Sequence, residues 1–345
     1  MRTIVFLCLL SLFSSTQALE VGDGLGEAIE NERFKQITSV LVAKDGALVY
    51  EKYWGEGDRN LLNDTRSATK SLTAMALGAA IADGHIASVQ EPIYKHFEAE
   101  RPYRFTSARK DSITVQDLLT MSSALDCNDN VWTSPGNEEH MYPARSWTYF
   151  FLDLPTKDDY VRDTNGFGPF SYCTAGSFFL GQIIERASGQ KISEYVASRI
   201  FKPLGIERVE WPESPSGEIQ TGGGTRLTSR DLMKLGELVR VGGTHNGVEV
   251  LPEAWTDAMM TPHLAANGEQ NYGYQWWQRE FTCGQQKMSG WYMAGNGGNK
   301  IVVLRDLDMT VVVTATLYGT NGMHQQSTDI INDFVLPHVP ACASD

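Results

Sequence analysis

The sequence predicts an α/β protein of the α+β kind: a mostly antiparallel sheet built from both chain ends, flanked by helices, with a helical region in the middle. Three observations predict it. Runs rich in β-branched residues lie near the two ends, ITSVLVAKDGALVYEKYW (37–54) and KIVVLRDLDMTVVVTATL (300–317). Segments with helical spacing lie between them, at 63–85, 176–189 and 228–243. The remainder of 87–215 mixes short helices with polar loops. The sheet regions are expected at about 19–62 and 220–345 and the helical region at about 63–219.

The elements follow in order. Residues 25–35 read as a helix. Lys44-Asp45-Gly46 between two β-rich runs is a hairpin signal. In the 63–85 segment, Leu72, Met75, Ala76, Ala79 and Ala80 fall on helical spacing; Asn63, Asp64 and Thr65 offer caps, and Gly84 follows the last turn. ITVQDLLTMSSALD reads as a helix followed by a turn, and GSFFLGQIIERASG as an amphipathic helix closed by Gly189. Thr228 and Asp231 are spaced as an approximate capping box before the next helix. YGYQWW reads as a strand, Asp306–Asp308 as the turn of a hairpin, and the end of the chain as a helix near Gln326–Val335.

The first eighteen residues, MRTIVFLCLLSLFSSTQA, carry one Arg, then a short apolar run, then small and polar residues. They read as a secretory signal peptide cut after Ala18, leaving a domain over 19–345 and an exported protein, periplasmic or secreted. No later run is long enough for a membrane span. The chain has 29 basic and 42 acidic residues; without the leader's one Arg the balance is 28 − 42 = −14, which disfavours nucleic acid and anionic membranes as partners. Four cysteines remain, Cys127, Cys173, Cys283 and Cys342. An even count in an exported protein suggests disulfides, with three pairings open.

Ser67 and Lys70 stand three apart at the head of an apolar helix, so both point the same way. A serine hydroxyl becomes a nucleophile when a neighbour takes its proton. Burial and the positive end of a helix dipole both lower a lysine's pKa, and this position supplies both. The plain alternative is a capping serine and a solvated lysine.

SATKSLTAMALGAAIADG resembles the active-site helix of the serine β-lactamase and penicillin-binding-protein superfamily. The likeness is nearest the class C-like branch that includes esterases and aminohexanoate-dimer hydrolases. ITVQDLLTMSSALD, FSYCTAGSFFLGQIIERASG and YMAGNGGNKIVVLRDLDMTVVV resemble that branch's later motifs in order, over nearly the whole mature chain. The resemblance implies Ser67 as nucleophile, Lys70 as its proton acceptor and Tyr172 as the second acid/base group. It also implies an oxyanion hole made by the backbone N–H groups of Ser67 and Asn296, and substrate contacts at Thr174, Gly295 and Gly297. A phenol is a useful base only beside a cation, which Lys70 provides.

Two positions depart from the family pattern. Thr174 stands where Tyr-x-Asn is frequent, and Met293-Ala294-Gly295 where Lys-Thr-Gly or His-x-Gly is frequent. The cation that meets a substrate carboxylate in penicillins and cell-wall peptides is absent there; Arg226 or Lys300 supplies one only if the fold brings it there. The preferred disulfides are Cys127–Cys173, pinning the tyrosine loop, and then Cys283–Cys342. QTGGGTRLTS lines the cleft or is a plain loop. Tyr272, Tyr274, Trp276, Trp277 and Trp291 line an apolar pocket or form sheet core. Asn63-Asp64-Thr65 is a glycosylation sequon. The seven histidines show no metal spacing, and no metal or other cofactor is expected.

The expected function is hydrolysis of a small ester, amide or peptide through an acyl-enzyme. The alternatives are a β-lactamase or D-Ala-D-Ala carboxypeptidase, and a non-catalytic binding protein on the same scaffold.

Overall fold

The computed structural model of the protein describes residues 24–343; the expected leader lies outside them. Eight strands form the main sheet: β1 Ile37–Lys44, β2 Ala47–Tyr53, β3 Leu264–Ala265, β4 Asn271–Tyr272, β5 Trp277–Cys283, β6 Gln286–Gly295, β7 Asn299–Leu304 and β8 Met309–Ala315. Their order across the sheet is β2-β1-β8-β7-β6-β5-β4-β3, with every neighbouring pair antiparallel. The two ends of the chain therefore meet at β1 and β8, and the fold is the mixed sheet-and-helix architecture the sequence predicts.

Alternation along the strands sorts the side chains onto two faces. Val40 and Val42 of β1, Val302 and Leu304 of β7, and Val311 and Val313 of β8 share one core with Leu25, Ile330, Ile331 and Val335. These last four belong to α1 (Leu25–Glu30), to α5 (Met323–Ile330) and to the turn that continues it. Leu41, Ala43, Ile301, Val303 and Val312 belong to the other core, shared with α2 (Thr69–Ala82), α3 (Thr174–Ser188) and α4 (Ser229–Arg240). Every residue of α2 from Thr69 to Ala80 is buried, as expected of a helix apolar on all sides. Burying Leu72, Met75 and Leu77 contributes about 1.5–3 kcal/mol each.

The hairpin turn uses Asp45 and Gly46, both at positive φ (52° and 78°), as a two-residue turn between twisted strands requires. Gly189 closes α3 at φ 70°, and Thr228 caps α4 by accepting from the Asp231 N–H at 3.1 Å.

Three local expectations change. The residues before α2 do not cap it: Asn63 and Asp64 pair as a short strand with Arg226 and Leu227, and residues 66–68 form a separate 3-10 turn. Asn63 is 7% exposed and its amide donates to the Leu227 carbonyl and to Ser229, so the sequon is enclosed. YGYQWW is not one strand, because Gln275 at φ 59° breaks the chain between β4 and β5.

Candidate active site

Ser67 lies on the 3-10 turn that leads into α2, directly after Arg66, whose φ is 48°. That left-handed residue turns the chain sharply, and its carbonyl is held by the Thr69 hydroxyl at 2.9 Å and the Gly224 N–H at 3.1 Å. Lys70, in the first turn of α2, is 1% exposed. Its Nζ donates to Ser67 Oγ at 3.1 Å and to the Gly222 carbonyl at 2.5 Å. Gly222 is aimed by bonds from its loop to α2: Thr73 Oγ1 donates to the Thr221 carbonyl (2.6 Å), and the Thr225 N–H donates to Thr69 Oγ1 (3.0 Å).

Tyr172 enters from the loop before α3. Lys70 Nζ lies 5.0 Å from the centroid of its ring, and Trp277 stacks against it at 5.9 Å. Three ties fix this loop. The Asp129 N–H donates to the Tyr172 carbonyl at 2.9 Å. The Thr174 N–H donates to Asp129 Oδ2 at 2.7 Å. A disulfide joins Cys127 to Cys173, and a second joins Cys283 to Cys342. Burial pushes the Asp129 carboxyl above its ordinary range, and the Lys70 charge opposes that shift.

The end of β6 completes the wall opposite. A Cβ at Gly295 would lie 2.0 Å from the Thr65 carbonyl oxygen, so only glycine lets this strand approach the residues before Ser67. Asn296 follows, its turn fixed by the Gly319 N–H on its Oδ1 (2.8 Å) and by Asn299 on its carbonyl (2.9 Å). Among the described residues, no carbonyl accepts from the backbone N–H of Ser67 or of Asn296.

These groups border a cleft of about 1070 Å³ whose lining includes Ser67, Tyr172, Gly222, Trp277, Ala294 and Asn296. The cleft is polarised. Asp129, Glu138 and Glu139 lie on the loop wall, whereas the lining residues from Ala266 to His324 include no carboxylate. Of the two rim arginines, Arg66 pairs with Asp64 at 3.2 Å and Arg226 with Glu210 at 3.8 Å. Lys300 is 1% exposed and stays behind the wall.

The structure thus brings Ser67, Lys70, Tyr172 and Asn296 together. It does not bring Thr174, Gly295 or Gly297 to the cleft lining. Thr174 is 1% exposed, beneath Gly222. Gly295 and Gly297 serve close backbone packing; a Cβ on Gly297 would meet the Tyr318 ring at 2.6 Å. Of the five aromatic candidates only Trp277 lines the cleft, and Tyr272, Tyr274 and Trp276 are core. The glycine run 222–224, open between two readings in the sequence, borders the cleft.

Sequence reasoning missed Asp129 and Gln275. Gln275 joins elements distant in sequence: its carbonyl accepts from Ser71 on α2 (2.6 Å), its Oε1 from Ser177 on α3 (2.7 Å), and its Nε2 donates to Leu118 (2.8 Å). No local motif marks either residue. Among the described residues, no group of three His, Cys, Asp or Glu side chains is placed to hold a metal ion, and no helix is long and apolar enough to cross a membrane.

A family model described as Beta-lactamase matches residues 32–335. The chain belongs to the Beta-lactamase family. Members of this family are serine hydrolases. The 6-aminohexanoate-dimer hydrolase of Paenarthrobacter ureafaciens is 25% identical over 273 residues, covering 72% of this chain and 66% of that enzyme, just under two thirds of its length. A Bacillus anthracis protein provisionally named a 6-aminohexanoate-dimer hydrolase has the same fold, with a TM-score of 0.76 at 17% identity over 93% of this chain and 83% of that one. A D-stereospecific amidohydrolase from Streptomyces sp. superposes with a TM-score of 0.65 at 18% identity, over 86% and 93% of the two chains.

Proposed function

We propose that residues 19–345 form an exported serine hydrolase domain that cleaves a small ester or amide through an acyl-enzyme on Ser67. The observation that carries this reading is the 3.1 Å contact between Nζ of the buried Lys70 and Ser67 Oγ. In the reaction, Oγ attacks the carbonyl carbon as its proton passes to the unprotonated Lys70 amine, which relays it through the Tyr172 hydroxyl. The backbone N–H groups of Ser67 and Asn296, both free of carbonyl partners among the described residues, hold the developing oxyanion. Tyr172 then passes the proton to the leaving group, and water releases the acyl chain in a second step.

The third motif favours an ester or amide substrate over a β-lactam. Met293 is buried, and Ala294, at the cleft wall, offers no side-chain donor for the ring carboxylate. The two disulfides support an oxidising compartment, periplasmic or extracellular. The name of the Paenarthrobacter relative, a hydrolase of an amide dimer, supports the choice of bond. Labelling the mature protein with a fluorophosphonate, followed by peptide mapping, tests the reading. The adduct is expected on the peptide containing Ser67; an adduct elsewhere, or none, contradicts it.

A further inference from the structure

Lys300 is a buried cation that the reaction above does not use. It projects from β7, opposite Ala294 of β6. Its Nζ donates to the His324 carbonyl at 2.9 Å and to Thr328 Oγ1 at 2.6 Å, and lies 5.0 Å from the centroid of the Tyr292 ring. Among the described residues no carboxylate forms an ion pair with it, although a buried charge ordinarily has such a partner. Arg279 adds a second positive charge nearby, with its Nε buried and unpartnered. His324 and Tyr292 stand in front of Lys300 and both line the cleft; His324 Nδ1 is also buried without a partner. This is the wall without lining carboxylates, facing the Asp129, Glu138 and Glu139 side. An ammonium behind a thin wall is weakly screened by solvent and attracts an anion on the cleft side.

We propose that the wall formed by His324 and Tyr292, backed by Lys300, is an anion subsite that takes a carboxylate carried by the ester or amide substrate. The inference rests on the acyl-enzyme reading and adds the charge of the substrate to it. Lys300 is the specificity residue: it acts through the wall, where a third-motif cation would touch the anion directly. The same geometry yields a pH dependence. Burial, then the Arg279 charge, pushes the Lys300 ammonium down to about 7, with Asp329 opposing. Burial and Lys300 hold His324 at about 4, so it is neutral in this range. The facing groups are thus Arg279 of β5, Tyr292 of β6, and His324 and Asp329 of α5. Of these cations, Lys300 is the one that loses its charge near neutrality.

The test compares 4-nitrophenyl hydrogen adipate with its methyl ester, which share length and leaving group and differ in charge. The readout is the ratio of kcat/KM for the acid over the methyl ester, each corrected for spontaneous hydrolysis. Lys300→Met is expected to lower the ratio roughly 10-fold, the scale of one unit charge acting across a weakly screened wall without direct contact. In the wild type the ratio is expected to fall as pH rises from about 6 to about 8.5 and the lysine loses its proton. An unchanged ratio in folded Lys300→Met overturns the subsite. Should that variant not fold, a wild-type ratio independent of pH overturns it. Ser67→Ala separates the two levels of the argument. Hydrolysis that survives in Ser67→Ala overturns the acyl-enzyme reading and the subsite with it; hydrolysis lost there but with an unmoved Lys300→Met ratio overturns the subsite alone.

Discussion

The Thr174 N–H donates to the carboxylate of Asp129 at 2.7 Å, and the Asp129 N–H donates back to the Tyr172 carbonyl at 2.9 Å. A carboxylate thus braces the tyrosine loop at the place where Thr174 replaces a frequent asparagine. Asp129→Asn keeps an acceptor and removes the charge. We expect a loss of roughly 10-fold in ester kcat/KM, with a change in the pH profile. Stability should move the other way. Burial raises the folded carboxyl above its unfolded value, so the native state holds its proton longer, and wild-type stability falls as pH rises through the carboxylate range. The Tm of Asp129→Asn relative to wild type should therefore increase with pH there and level off above it. A constant difference would show that Asp129 titrates as it does in the unfolded chain.

The Cys127–Cys173 bridge closes a separation of 46 residues around the same loop. Replacing both cysteines with serine should cost about 2–4 kcal/mol and lower kcat more than the Cys283–Cys342 double replacement does. Thermal melts and steady-state kinetics on the two variants measure this. Equal kinetic effects would separate the bridge from the positioning of Tyr172.

Gly295→Ala places a methyl group 2.0 Å from the Thr65 carbonyl oxygen, and neither partner is the end of a flexible side chain. Either β6 or the Ser67 turn must move, which shifts Asn296 relative to Ser67. Loss of one oxyanion donor costs about 10²–10³ in kcat, and a loss near that size is expected with the overall circular dichroism preserved. Activity within about 2-fold of wild type would remove Asn296 from the proposed oxyanion pair.

The fold was legible where sequence and structure share a period. The β1, β7 and β8 segments are short runs of β-branched and other apolar residues, buried on both faces, which identify strands, and α2, α3 and α4 carry caps or a closing glycine. The Ser67–Lys70 pair was legible because its spacing within one turn is local. The wider site was not. Asp129 reaches Tyr172 and Thr174 across more than forty residues, and Gln275 ties α2 to α3 through a left-handed residue inside what looked like a strand. Thr174, Gly295 and Gly297 were expected to meet substrate, yet they serve burial and backbone packing. Motif position does not reveal which face of a loop meets the cleft. Lys300 shows the same limit: its strand context indicates burial, and only the fold reveals that, among the described residues, no carboxylate forms an ion pair with it.

The central claim is that Ser67 carries the acyl group, and the most direct measurement is a pair of observations on 4-nitrophenyl butyrate. Quenched wild-type enzyme should show a mass increase of one butyryl group, mapped to the peptide containing Ser67, and Ser67→Ala should lose roughly 10⁴-fold or more in kcat while retaining its melting curve. Butyrylation of another residue, or a folded Ser67→Ala that keeps a substantial part of wild-type turnover, would contradict the account.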